Sequence, residues 1–267
     1  MKRLTITLLC LLTVPVVRAE VPVTDREQTL AFSAAELNTL AGKTYAKTLH
    51  TLKEKKELDG NALLLRKTRT IAGRLIAQAI KLKPQAASWK WELHLTSSKD
   101  VDAYSMAGGK LLFSTHFIRD NHFTDDELAI LIGHEIGHAI AEHVREQATA
   151  VLLSNPKNPD RSLNDVLAEM NSNLAVYFQL MPMSRMQEIE ADQIGVRLAA
   201  MAGFQPTAAL SFYKKLASDE DAGRGSLFDS HDPPWVRRRI APALVADSKR
   251  FYQKALFASS SQVYTLR

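Results

Sequence analysis

Apolar residues recur at helical spacing along most of this chain. Leu37, Leu40, Ala41, Tyr45, Leu49 and Leu52 mark one face of a helix predicted over 33–58, and its tail, Lys53-Glu54-Lys55-Lys56-Glu57, reads as a solvated face. A second helix is predicted over 61–82 and must stop before Pro84. The period then falls from 3.6 to two. Strands are predicted at 90–96, 102–107 and 110–115, with Gly108-Gly109 as the turn between the last two. Trp89 and Trp91 sit where core and sheet-packing residues belong, and His94, His116 and His122 lack ligand spacing and read as structural.

Helical spacing resumes at Thr124. Thr124 is a natural N-cap, Glu127 three residues later closes a capping box, and Asp125 and Asp126 favour the positive helix end. Leu128, Leu131, Ile132 and Ile136 then form a buried stripe. Ser154-Asn155-Pro156-Lys157-Asn158-Pro159-Asp160 breaks the pattern before a helix at 162–180, and Met181-Pro182-Met183 separates that helix from the next, which runs to Met201 and ends at Gly203. Segment 154–183 reads either as a lid or as a packed hairpin. A helix at 207–218, a Gly/Asp/Ser/Pro-rich loop at 219–234 and a helix from Trp235 complete the chain, with no internal repeat. The predicted class is α+β, mainly helical, with one small sheet.

Composition changes this picture at the N-terminus. Met1-Lys2-Arg3, an apolar run from Leu4 to Val17, and Val17-Arg18-Ala19 before Glu20 have the layout of a cleavable secretory leader over 1–19. The run is too short and wrongly flanked for a membrane span. Cys10, the only cysteine, is preceded by Leu8-Leu9 rather than a small residue, which argues against a lipoprotein. Without 1–19 the net charge of +5 falls to +2, with 31 basic against 29 acidic residues. So balanced a chain gives no nucleic-acid reading. Residues 20–267 suffice for a single domain, read as N-terminal helices over 30–85, a catalytic core over 86–240 and a C-terminal helix and tail over 241–267.

The chemistry lies in His134-Glu135-Ile136-Gly137-His138. A spacing of four on a helix puts both imidazoles on one face, where they can bind one Zn²⁺, with Glu135 beside them to take a proton from a metal-bound water. Short motifs occur by chance, but this one sits inside a well-signalled helix. A third ligand is needed. His143 lies about 140° around a continuing helix from His138, with Ala141 where an extended motif wants Gly, so it reads as a structural or surface histidine. Glu188 and Asp192, four apart on a later helix, serve better: Glu188 as ligand and Asp192 as acceptor of a ligand histidine's other N–H. Glu190 turns away from Glu188, toward solvent or an arginine.

Three stretches carry a resemblance. Thr124–His138, the Ser-Arg-x-x-Glu-x-Glu-Ala-Asp-x-x-Gly pattern over 184–195, and 100–115 occur in order within roughly 60–240. In these the chain resembles the HtpX-like zinc metallopeptidases, the gluzincin family that includes the CAAX prenyl proteases, and within it the soluble periplasmic BepA and LoiP type. The resemblance implies a zincin-like domain with one Zn²⁺ per chain on His134, His138 and Glu188, Glu135 as general base, and Asp192 behind the ligands. It also implies that the strand holding Ala103, Tyr104, Ser105, Met106, Ala107, Gly108 and Gly109 edges the substrate cleft. His231, in Ser230-His231-Asp232-Pro233-Pro234, resembles a family histidine that can occupy the open zinc position as a latch; it reads as such a latch or as a loop histidine at the cleft rim. The family's downstream arginine matches Arg237 or Arg238.

The expected activity is zinc-dependent endopeptidase cleavage of unfolded or misassembled envelope proteins in the periplasm, with peripheral association with the outer-membrane assembly machinery as one expected partnership. The alternative is a latched zincin scaffold acting as a chaperone or assembly factor.

Overall fold

The computed structural model describes residues 17–19, 24, 26–221, 234–257 and 263–266. Its elements run β1 (Val17–Ala19), β2 (Gln28–Leu30), α1 (Ala34–Glu54), α2 (Ala62–Leu82), β3 (Glu92–Thr96), β4 (Ala103–Met106), β5 (Lys110–Ser114), α3 (Thr115–Asp120), α4 (Asp125–Ile140), α5 (His143–Leu153), α6 (Leu163–Ser172), α7 (Leu174–Met201), α8 (Ala208–Asp221) and α9 (Pro234–Leu256). The fold is mainly helical with a small three-stranded sheet, as expected. No described helix is long and apolar enough to cross a membrane.

α4 is the axis of the molecule. Its apolar run is longer than the predicted stripe, because α2, α7, α8 and β4 pack around it and bury Ala129 and Ile130 as well. Such all-round burial needs an all-round apolar helix. The main core joins α4 to Ile71, Leu75 and Ile76 of α2, Leu93 and Phe113 of the sheet, Ile194 and Leu198 of α7, Phe212 of α8 and Leu244 of α9. The 240/241 boundary expected from sequence therefore falls inside α9, which is anchored on both sides of it.

The sheet order is β3-β5-β4, with β3 parallel and β4 antiparallel to β5. β5 is buried throughout, as a central strand should be, and β4 is an edge. The Gly108 and Gly109 turn has φ of +75° and +79°, and a Cβ on Gly109 would stand 2.5 Å from the Trp91 ring, so glycine is required there. Ser114 N donates to Asp102 O, which makes Tyr104 and Met106 the hydrogen-bonded partners of β5 in the same register. The main-chain groups of Ala103 and Ser105 consequently face the open edge.

One expectation needs correction. Met181-Pro182-Met183 does not separate two helices: α7 runs through Pro182, which lies exposed, where the carbonyl it leaves unbonded can be hydrated. The break comes at Asn173 (φ −107°, ψ 108°), whose side chain caps Ala175 N at 3.0 Å. Segment 154–183 takes the packed-hairpin form: Leu163, Val166, Val176 and Leu180 make a second core with Phe32, Leu37, Ala148 and Val151.

The short ribbon pairs β1 antiparallel to β2, with Arg18 opposite Thr29. β1 lies within the segment read as a leader, so cleavage after Ala19 would remove it and leave β2.

Candidate metal centre

The centre begins with the start of α4. Thr124 Oγ1 accepts from Glu127 N at 3.2 Å, Thr124 N donates to Glu127 Oε2 at 2.8 Å, and Lys215 Nζ of α8 donates to the same oxygen at 2.6 Å. This capping box fixes the helix that carries His134, Glu135 and His138.

The distance to the second helix is set by small residues. A Cβ on Gly133 would stand 2.6 Å from Gly195 O, one on Gly195 2.6 Å from His134 N, and one on Gly137 3.0 Å from Ala191 O. α4 and α7 thus meet backbone to backbone. The glycine that closes the 184–195 pattern is required by this approach.

Across the seam His134, His138 and Glu188 converge. His134 Nε2 and His138 Nε2 are 3.0 Å apart, Glu188 Oε2 lies 3.4 Å from the first and Glu188 Oε1 3.1 Å from the second. Among the described residues this is the group of His, Cys, Asp and Glu able to hold a metal ion. Ligand atoms bound at 2.0–2.1 Å to one tetrahedral zinc stand about 3.3 Å apart, so the three positions fit that ion. Glu135, next in the chain, is buried, and its Oε1 has no hydrogen-bond partner among the described residues. A buried carboxylate oxygen without a donor is costly unless a proton-bearing group arrives to meet it.

Behind His134, Asp192 Oδ1 lies 2.8 Å from Nδ1. Arg237 reaches in from α9, donating from Nε to Asp192 Oδ2 at 2.8 Å and from Nη2 to Oδ1 at 2.5 Å, over the ring of Tyr213. Arg238 is exposed, so of the two candidate arginines it is Arg237 that enters the site. Burial opposes ionisation of Asp192, yet Arg237 and His134 outweigh it and hold the carboxyl down at about 2. Burial and the Arg237 charge push His134 down, but Asp192 and Glu188 more than reverse this and raise it to about 9. In the protein without metal this imidazole holds a proton that a metal would have to displace.

His143 departs from expectation. The helix does not continue: α4 ends at Ile140 and Glu142 turns left-handed (φ 56°, ψ 35°), which swings His143 back onto His138 with their Nδ1 atoms 2.9 Å apart. It is a buried histidine, 1% exposed, and burial pushes it down to about 4. The left-handed residue costs about 1–2 kcal/mol. It is held by Lys83, whose Nζ donates to Ile140 O at 3.0 Å and Glu142 Oε2 at 2.6 Å, and by Arg145. No local signal marks this turn, since position 142 is not glycine and Lys83 is remote in sequence. Glu190 faces an arginine as one expected reading had it, namely Arg26.

His138 and Ala139 also line a small surface cleft with Ser105, Met106 and Ala107 of the β4 edge and turn. The end of the expected substrate strand, Ser105 to Ala107, therefore lies beside one member of the metal group, His138. His231 lies outside the described residues.

The model of the family described as Peptidase family M48 matches residues 66–244, well over half of the chain and all the site residues above from His134 to Arg237. The mitochondrial metalloendopeptidase OMA1 of Arabidopsis thaliana is 34% identical over 157 residues, which cover 56% of this chain and 30% of that protein. Metalloprotease LoiP of Escherichia coli (strain K12) is 27% identical over 182 residues, 66% of this chain and 71% of LoiP. The beta-barrel assembly-enhancing protease of Yersinia pestis is 25% identical over 174 residues, covering 58% and 33%. The chain spans under half the length of the OMA1 relatives from Arabidopsis, cattle and fission yeast. The match in sequence runs from α2 into α9, across both helices of the metal centre, and on that ground the chain belongs to peptidase family M48.

Proposed function

We propose that this chain is a zinc-dependent endopeptidase of the bacterial periplasm that cuts unfolded or misassembled envelope proteins. The observation that carries the reading is the convergence of His134, His138 and Glu188 at tetrahedral ligand spacing beside the unpartnered Glu135 Oε1.

His134 and His138 would hold zinc through Nε2 and Glu188 through its carboxylate. Bound there, zinc supplies a water of lowered pKa and polarises the substrate carbonyl. Glu135 would take a proton from the attacking water and return it to the leaving amine nitrogen. Asp192 accepts the His134 Nδ1–H and keeps that ring's Nε2 lone pair forward, and Arg237 keeps Asp192 ionised in a buried place.

The β4 edge supplies the substrate contact. An extended chain laid along it can pair with the outward main-chain groups of Ala103 and Ser105, and Ser105 lines the cleft that His138 also lines. Folded proteins seldom offer a free extended strand, so the edge selects unfolded segments. The leader-like layout of residues 1–19 supports a periplasmic location, and the name of the Yersinia relative points to the outer-membrane assembly machinery as a place to look for partners.

The test is cleavage of an unfolded protein such as casein by the zinc-loaded chain, with and without chelator, beside Glu135→Gln. Cleavage that a chelator abolishes, zinc restores and Glu135→Gln lowers by at least about 10²-fold is the expected result. Equal behaviour of wild type and Glu135→Gln would sink the protease reading in favour of a scaffold.

A further inference from the structure

The two converging imidazoles differ in what meets their far nitrogens. His134 Nδ1 meets a carboxylate directly, Asp192 at 2.8 Å. His138 Nδ1 meets a second imidazole, His143 Nδ1 at 2.9 Å, and His143 Nε2 lies 3.3 Å from Glu190 Oε2. Glu190 is gripped by Arg26, Nε to Oε1 at 2.6 Å and Nη2 to Oε2 at 2.8 Å. The same guanidinium grips Glu146, to which Gln187 also donates at 2.7 Å.

Proton positions follow from this order. His138 Nε2 faces Glu188 and His134 Nε2, so its lone pair serves a metal there and its hydrogen sits on Nδ1. Among the described residues that hydrogen meets His143 Nδ1 at 2.9 Å, which must then be the bare nitrogen. His143 therefore carries its own hydrogen on Nε2, the atom facing Glu190. His138 thus donates to His143, whose remaining N–H faces an ionised carboxylate across 3.3 Å, a charge contact rather than a formed hydrogen bond.

We propose that His143 and Glu190, clamped by Arg26, are positioning residues for the zinc ligand His138, an imidazole relay that fixes its tautomer and aims its Nε2. The arrangement resembles Asp192 and Arg237 behind His134 in that a carboxylate held by an arginine from a remote part of the chain stands behind each ligand histidine, by a direct hydrogen bond at His134 and by a charge contact through His143 at His138. The relay is longer because the left-handed turn at Glu142 inserts His143 between ligand and acid. It makes the segment before α1, through Arg26, part of the metal centre's support. The proposal rests on the zinc site argued above.

The bland competitor is a buried network that only ties β2, α5 and α7 together. Zinc affinity separates the two. Competition with a chromophoric chelator is measured on the full chain for wild type, His143→Leu and His143→Gln, with the urea stability of each metal-free protein. Glutamine offers both an acceptor oxygen and a donor NH₂, as the relay histidine offers an acceptor and a donor nitrogen, whereas leucine fills the space with neither. We expect His143→Leu to bind zinc about 10–100-fold more weakly and His143→Gln to recover most of that loss. In the cobalt(II) form, the visible spectrum of His143→Leu shifts from wild type and that of His143→Gln lies closer to it. Equal zinc affinity in leucine and glutamine variants, whether wild-type or weakened, overturns the relay. Should either variant not fold, Arg26→Met carries the test: zinc binding about tenfold weaker supports the relay, and unchanged affinity overturns it. A wild-type chain that takes up no zinc would instead overturn the metal site itself.

Discussion

Replacing Gly195 by alanine puts one methyl into the seam between α4 and α7. The new Cβ would stand 2.6 Å from His134 N and 2.8 Å from Gly133 C, while ordinary contact begins at 3.4 Å, so about 0.8 Å must be found at the closest approach. Both neighbours are helix backbone, so no rotamer can relieve the clash and the helices must part. Overpacking of this kind costs about 1–3 kcal/mol. The better helix propensity of alanine returns about 1 kcal/mol. The net loss of folding stability is thus small, roughly 0–2 kcal/mol. The loss at the site is larger, because His134 and His138 ride on α4 and Glu188 rides on α7 two turns before the seam. A parting of even half that distance approaches the roughly 0.5 Å tolerance of a preorganised constellation. Zinc affinity should fall by more than about tenfold, a range typical of disturbed metal surroundings. Urea unfolding of the metal-free protein and chelator competition measure the two effects separately. Gly42→Ala in α1 is the control: its Cβ meets nothing within 4 Å, so it should stabilise by about 0.5–1 kcal/mol and leave zinc binding alone. Wild-type zinc affinity in Gly195→Ala would refute the claim that the glycine seam sets the ligand spacing.

Three further outcomes are expected. Burial alone would raise the Glu127 carboxyl, but Lys215 and the Thr124 N–H outweigh it and hold it below the usual carboxylate range. Its contribution is therefore present above an unfolded value of about 4.3 and is lost as pH falls through the lower folded value, so the stability gap between wild type and Glu127→Gln should close in acid titrations; a gap that widens there would show the sign to be wrong. Ser105→Pro removes an outward N–H from the β4 edge while sparing the bonds to β5; KM for an extended peptide should rise up to about tenfold with little loss of fold stability, and an unchanged KM would argue against strand addition. Arg237→Met strands the buried Asp192 charge and should cost about 3–5 kcal/mol in urea unfolding, whereas a loss under 1 kcal/mol would mean that Asp192 is not held as described.

Local rules made much of this molecule legible in its sequence. The capping box at Thr124 and Glu127, the spacing of His134 and His138, and the pairing of Glu188 with Asp192 depend on helix geometry within a few residues, and the structure places all of them on α4 and α7 as read. The hairpin through Gly108 and Gly109 was equally local. What could not be read depends on groups distant in sequence. The left-handed turn at Glu142 needs Lys83, the passage of α7 through Pro182 needs that residue to lie on the helix's exposed face, and the pairing of Glu190 needs Arg26. Arg237 and Arg238 are adjacent and chemically identical, so only the packing of α9 on α7 and α8 distinguishes them.

The most direct measurement is anomalous diffraction at the zinc edge from crystals of the zinc-loaded chain. The account predicts one zinc per chain, within about 2.2 Å of His134 Nε2, His138 Nε2 and a Glu188 oxygen, with His143 outside bonding distance and Glu135 Oε1 facing the remaining position. Zinc ligated by His143 in place of Glu188, or zinc absent from this group and bound elsewhere, would contradict it.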